Sequence, residues 1–259
     1  PEGTIVNARE GASTTMCTVF FAHEIIHAVW KALAQADPES ACAGWAKNVF
    51  GLSVGREESG QQYIFYHGAA AAGSGAVDGR DGFNQIGHVC TLGGLTMPNV
   101  EVYEQLYPVQ FQRQEFRIDA AGPGKWRGGS GCDYEVDIHT PATHSFRGEG
   151  LNYETGYGIN GGGNGAAGVM HLREDGAENE APKFGLRTTG PVRFVTQSPG
   201  GGGFGDPFDR EPSWVLRDYR DGIVSKSSAT NFYGVAFSVD GRAVDVERTR
   251  DIRARQNKH

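Results

Sequence analysis

Ser198-Pro199-Gly200-Gly201-Gly202-Gly203-Phe204-Gly205-Asp206-Pro207 sets four consecutive glycines between a proline and an aromatic residue. Glycine gives up more backbone freedom on folding than any other residue. A glycine run inside a folded chain therefore answers a need for positive φ or for close backbone approach. A flexible spacer is the competing reading. Pro199 on one side, and Phe204 with the Asp206-Pro207 turn on the other, argue for a pinned loop. Next come Phe208-Asp209-Arg210-Glu211-Pro212 and the run Trp214 to Ser225, WVLRDYRDGIVS, which reads as a helix capped near Ser213. An ordered glycine loop feeding a helix can present backbone N–H groups to an anion or to a neighbouring backbone. Gly200, Gly201, Gly202 and Gly203 are therefore the candidate cofactor-binding positions.

Working outward, Thr14 to Ala36 reads as a helix. Phe20, Ile25, Ile26, Val29, Trp30 and Leu33 supply an apolar face at helical spacing, and Asp37-Pro38 stops it. Short strand-like runs follow between glycine turns: Tyr63 to Tyr66, Val109 to Ile118, Cys132 to Ile138, Gly168 to Arg173 and Val192 to Thr196. In Val109 to Ile118, Val109 and Phe111 alternate with glutamines before Phe116 and Ile118 resume the pattern. Helices are expected near Ser225 to Phe232 and from Val246 to Arg255. The expected fold class is α+β: helix first, a β-rich body with glycine turns, and a helical tail. No repeat or linker divides residues 1–259.

Composition narrows the function. Of 259 residues 39 are glycine, yet 38% are hydrophobic, a folding composition rather than a disordered one. The net charge of −7 leaves no basic surface for nucleic acid. No apolar run is long enough to span a bilayer. Cys17, Cys42, Cys90 and Cys132 are scattered without a CxxC pair and read as reduced thiols of a cytoplasmic protein. The glycine-rich Gly122 to Gly131 lacks the GK[ST] ending of a P-loop.

His23-Glu24-Ile25-Ile26-His27 spells HExxH, the helical zinc-protease motif. We reject a metal site there. Only 22 residues precede it, Trp30 and Leu33 stand where the extended motif needs glycine and histidine, and no carboxylate is singled out as third ligand. The two histidines are instead read as lying on the polar edge of a structural helix. His67 and His88 flank the loop Gly68 to Gly87 and are the candidate cleft-lining, catalytic residues; His139, His144 and His171 are given no role.

Four blocks of the chain resemble the hydantoinase B/oxoprolinase family, in the family's order. Pro1-Glu2-Gly3-Thr4-Ile5-Val6-Asn7-Ala8-Arg9 is similar to its PEGSIVNAR segment. Val100-Glu101-Val102-Tyr103-Glu104 with Tyr107-Pro108-Val109 is similar to its VEVLE and YPV stretch. Gly122 to Gly131 resembles its GGAGRYRGGDG turn. Ser198 to Pro207, the VLRD run and Tyr233-Gly234-Val235 resemble its C-terminal signature. The resemblance implies the C-terminal half of a hydantoinase B-type subunit, with the family's acidic, histidine-rich metal-binding segment in the other half. It implies a hydantoinase A-type ATP-binding partner, an N-terminal-half hydantoinase B chain and a small-molecule substrate. ATP and a divalent metal would then be held by those partners rather than here. The activity implied is ATP-dependent opening of a cyclic amide, with ketone carboxylation as the alternative. A non-catalytic scaffold completing a partner's site is the reading of a different class.

Overall fold

Strict alternation marks the body of the chain. In Gln62–Tyr66 the buried side chains are Tyr63 and Phe65, and in Ala142–Gly148 every second residue is buried. That is the period of a strand with one face in a core. The structure is a computed structural model and describes residues 2–4, 7–12, 17–87, 89, 97 and 99–256. Among them are strands β1 (Val49–Arg56), β2 (Gln62–Tyr66), β3 (Val109–Phe116), β4 (Cys132–Ile138), β5 (Ala142–Gly148), β6 (Val169–Glu174), β7 (Ala177–Glu180), β8 (Phe184–Thr189) and β9 (Val192–Gln197). The helices are α1 (Cys17–Ala36), α2 (Val100–Leu106), α3 (Pro212–Arg220), α4 (Lys226–Asn231) and α5 (Val246–Gln256). The fold is α+β. The expected start of the first helix at Thr14 lies outside the described residues.

The strands pair antiparallel in two sheets, ordered β2-β1-β5-β8 and β3-β4-β9-β6-β7. Their inner faces share one core. Val49, Phe65 and Phe146 of the first sheet meet Val136, Leu172 and Phe194 of the second. The Phe146 and Phe194 rings stack at 6.2 Å between centroids. In β3 the register shifts between Phe111 and Arg113. This bulge moves the inward positions from odd to even numbers, so Gln114 lies opposite Tyr134 and Phe116 opposite Cys132. Phe116 stands at the sheet's end and stays exposed.

The first helix inverts its expected orientation. Ile25, Val29 and Leu33 are exposed, while His23 and His27 are buried at 2% and 5% exposure. The reading of these histidines as a polar outer edge is therefore corrected. Their face meets the Trp45 backbone and the Tyr157 ring rather than an apolar patch, so hydrophobic periodicity could not show it.

That backbone is the glycine-rich part of the chain. Gly200, Gly201, Gly202 and Gly203 donate their N–H groups to the carbonyls of Ala166, Gly129, Gly44 and Gly163, at 2.9 to 3.1 Å. The carbonyls of Pro199, Gly201, Gly202 and Gly203 accept from Gly73, Gly122, Ala76 and Ile159. A strand in a sheet bonds to two neighbours. This segment bonds to four, lying around residues 43–46, 72–76, 120–131 and 156–166. A Cβ on any of the four glycines would fall under 3.0 Å from a carbonyl oxygen, of Ala120, Ser74, Tyr157 or Pro123 respectively. None of the four has positive φ. The run exists for close approach.

A second core holds the C-terminal helices, with Val215 of α3 and Ala229 of α4 against Ile223, Val224, Tyr233 and Val235. No helix among the described residues is long and apolar enough to cross a membrane.

Candidate functional site

The glycine segments, α1 and the loop after residue 76 enclose a cavity of about 540 Å³. Trp30, Trp45, Val77, Phe83, Ile86 and Val89 give it apolar walls, and Cys42, Ser74, Arg80 and Asp81 supply polar atoms. Glycine makes such a wall possible, because backbones packed without side chains leave a smooth surface for a neighbouring ring. Arg80 lies over the Phe83 ring at 4.9 Å. Asp81 is held by the Arg210 guanidinium through two bonds of 2.7 Å. Burial pushes the Cys42 thiol up to about 11, so it carries no thiolate at neutral pH.

Beside this cavity α1 sets His23 and His27 one turn apart, with their Nε2 atoms separated by 2.9 Å. Trp45 N–H donates to His27 Nε2 across 3.2 Å. That nitrogen is therefore the acceptor and His23 Nε2 the protonated partner, also 3.3 Å from the Trp45 carbonyl. Burial, with His23 and Lys31 nearby, lowers His27 to about 3 and keeps it neutral. Glu24 is ion-paired with Lys47. The lone pair a metal would need at His27 is thus committed, and the glutamate faces a lysine rather than a site. Among the described residues no group of three His, Cys, Asp or Glu side chains is placed to hold a metal ion.

His67 lies inside the sandwich, with no exposed surface, rather than on a cleft wall. It stacks on Phe194 at 3.9 Å and belongs to a hydrogen-bond chain whose direction can be deduced. Thr189 donates to the Gly190 carbonyl (2.8 Å), so its oxygen accepts from His144 Nε2 (2.9 Å). His144 Nδ1 must then accept from Ser53 (2.9 Å), whose oxygen accepts from His67 Nε2 (2.8 Å). His67 Nδ1 finally accepts from the Tyr134 hydroxyl (3.1 Å). Both imidazoles are neutral Nε2–H tautomers in this chain. Burial agrees, holding His144 at about 4 and His67 well below its ordinary value. Ser53 is the centre of a GxSxG spacing, Gly51 to Gly55, but it lies within β1 rather than on a strand-to-helix turn; nothing local links it to Tyr134, His144 and Thr189. His88 lies outside the described residues.

The expectation that Gly200 to Gly203 bind a cofactor is corrected by the same bonds that order them. All four N–H groups are already donated to carbonyls, so none is left for a phosphate. The residues after the run have a clear task. Arg210 is fully buried between Asp81 and Asp218, with its Nη2 2.7 Å from each. Arg127 Nε reaches the other oxygen of Asp218 at 3.0 Å. This network ties α3 to the loops around the cavity. Of its members only Asp218 lies in the run Trp214 to Ser225; Asp81, Arg127 and Arg210 come from other segments, and no local pattern links them.

What the described residues offer here is enclosure: an aromatic-walled cavity on a closely packed backbone, its Cys42 thiol held protonated at neutral pH. The profile of the family described as Hydantoinase B/oxoprolinase matches residues 1–207. The caprolactamase subunit beta of Pseudomonas jessenii is 32% identical over 263 residues, covering 93% of this chain and 43% of that one. The crystal structure of the ATP-dependent caprolactamase from P. jessenii superposes with a TM-score of 0.82 at 32% identity, over 98% of this chain and 45% of that one. The acetophenone carboxylase delta subunit of Aromatoleum aromaticum is 25% identical, covering 95% of this chain and 42% of its own. The chain spans less than half the length of these relatives.

Proposed function

Since the chain belongs to the hydantoinase B/oxoprolinase family, we propose that it supplies part of the active-site wall of an ATP-dependent cyclic amide hydrolase. In this reading a hydantoinase A-type subunit binds ATP, and the N-terminal portion of the hydantoinase B architecture carries the divalent metal. Phosphoryl activation of a poor electrophile produces an intermediate that must be kept from bulk water. The cavity between the tryptophans and the glycine segments is suited to covering it. The observation that carries the reading is the likeness to caprolactamase across 98% of the chain, joined to a site built for enclosure. The likeness to acetophenone carboxylase supports a second reading, ATP-dependent carboxylation of a ketone.

Reconstitution tests both. The chain is co-expressed with the N-terminal hydantoinase B-type portion and the hydantoinase A-type subunit encoded in the same genome. The assembly is then assayed on caprolactam, hydantoin and 5-oxoproline. ATP-dependent ring opening that stops when this chain is omitted is the expected result. Bicarbonate-dependent consumption of a ketone, with no ring opening, would establish the carboxylase instead. Turnover that persists without this chain would remove it from the active site altogether.

A further inference from the structure

The two outer faces of the sandwich differ in kind. On the five-stranded sheet the outward side chains are charged and paired, Arg193 with Asp137 at 2.6 Å, Arg113 with Asp133 at 2.9 Å and Arg173 with Glu178 at 3.4 Å. That face is finished for water. The outer face of the four-stranded sheet is not. Its cross-strand register sets Val54 beside Ile64, Leu52 between Tyr66 and Ser145, Ser145 beside Leu186, and Arg147 beside Phe184. These residues point outward because their alternates, among them Phe65, Ser53 and His144, fill the core. Leu186 is 73% exposed, Ile64 58% and Phe184 52%.

Single exposed apolar residues are ordinary, but a contiguous face is not. Four strands roughly 4.8 Å apart, with three outward rows each, make a face on the order of 400 Å², which Thr143, Ser145, Arg147 and Thr188 share with the apolar residues. A face of that size and character matches the central, desolvated part of an interface.

We propose that this face docks the portion of the hydantoinase B architecture that lies outside this chain. The inference rests on the family reading above. More than half the length of the caprolactamase subunit beta has no counterpart in the present chain. In that relative both portions belong to one subunit. Portions of one chain stay fixed to each other where the surface between them is hydrophobic, and move where it is polar. The bare sheet face has the first character and the ion-paired face the second.

Binding of the N-terminal hydantoinase B-type portion from the same genome to this chain, followed by analytical ultracentrifugation, provides the test. The Ile64→Asp/Leu186→Asp double variant should bind at least 30-fold more weakly than the unaltered chain. Arg173→Glu, on the opposite face, should bind within threefold of it. Leu186→Ser alone, the milder change, should lie between, and it serves if the double variant does not fold. Equal binding by the double variant, or no binding by the unaltered chain, overturns the proposal. So does a homodimer of this chain that the double variant dissociates. The two readings fail separately. Docking at this face without ATP-dependent turnover would sink the enzymatic reading alone, and full turnover by the double variant would sink the docking surface alone.

Discussion

Gly201 shows how much one absent side chain can hold in place. Its N–H is donated to Gly129, its carbonyl accepts from Gly122, and the direction of its missing Cβ is occupied by the Ser74 carbonyl. Alanine for glycine at a compatible site stabilises by about 0.4–1 kcal/mol through the unfolded state. Here the sign should reverse. Overpacking of this kind costs about 1–3 kcal/mol, and Gly201→Ala should lower the melting temperature by several degrees in calorimetry. An unchanged melt would mean that the surrounding segments can part. Ser53 is the matching case among polar residues. Ser53→Ala removes both the donor to His144 and the acceptor from His67. Leaving buried partners unsatisfied costs about 1–3 kcal/mol, and denaturant titration should show a loss of at least that lower figure.

At the scale of elements, α3 is held less by its apolar stripe than by ions. Asp218 is 1% exposed and bonds both Arg210 and Arg127. Removing one partner of a buried pair strands the other and costs about 3–5 kcal/mol. Asp218→Ala should therefore lose that much stability in urea, since Arg127 and Arg210 both lose their bond to it. A loss below about 1 kcal/mol would refute the argument. The same contrast explains what could be read from the chain in advance. β2, β4 and β9 were legible because aromatic and β-branched residues mark their inward positions. β1 and β5 were not. Their inner faces carry Gly51, Ser53 and Gly55, and Ala142 and His144, so the alternation a strand should show is replaced by the hydrogen-bond chain and by ring packing on glycine. The helical period of α1 was visible, yet its buried face was the polar one, because its histidines bond the Trp45 backbone and pack on the Tyr157 ring. The glycine run was read as pinned, with its N–H groups offered to an anion or to a neighbouring backbone, and the structure commits all four to backbone carbonyls. Whether a glycine serves curvature, a ligand or a close neighbour depends on distant segments, and no local pattern records them.

Across the whole molecule, three histidines give stability a direction in pH. His27 is lowered to about 3, His144 to about 4 and His67 well below its ordinary value, each chiefly by burial. All are neutral when folded, whereas an unfolded imidazole takes a proton near pH 6.5. Below that value the unfolded state binds more protons. Their contribution is thus complete above 6.5 and drains away as pH falls toward 4, by up to about 1.4 kcal/mol per unit for each group. Glu149 opposes them. Burial raises its carboxyl from 4.5 to about 7, so the folded state keeps a proton the unfolded state releases, and stability falls as pH rises through that window. Three groups outweigh one. Melting temperature should drop from pH 7 to pH 5, and Glu149→Gln should make the drop steeper. A flat profile in both proteins would show that the histidines are not kept neutral. The packed glycine segments carry one more consequence, and it is genetic. Every glycine codon begins with two guanines, and each missense change at either base specifies a residue with a Cβ. Where carbonyl oxygens already occupy that direction, no single-nucleotide missense change is conservative. Variation among natural copies of this gene should thin out sharply over the codons for residues 200 to 203, independently of any contact with substrate.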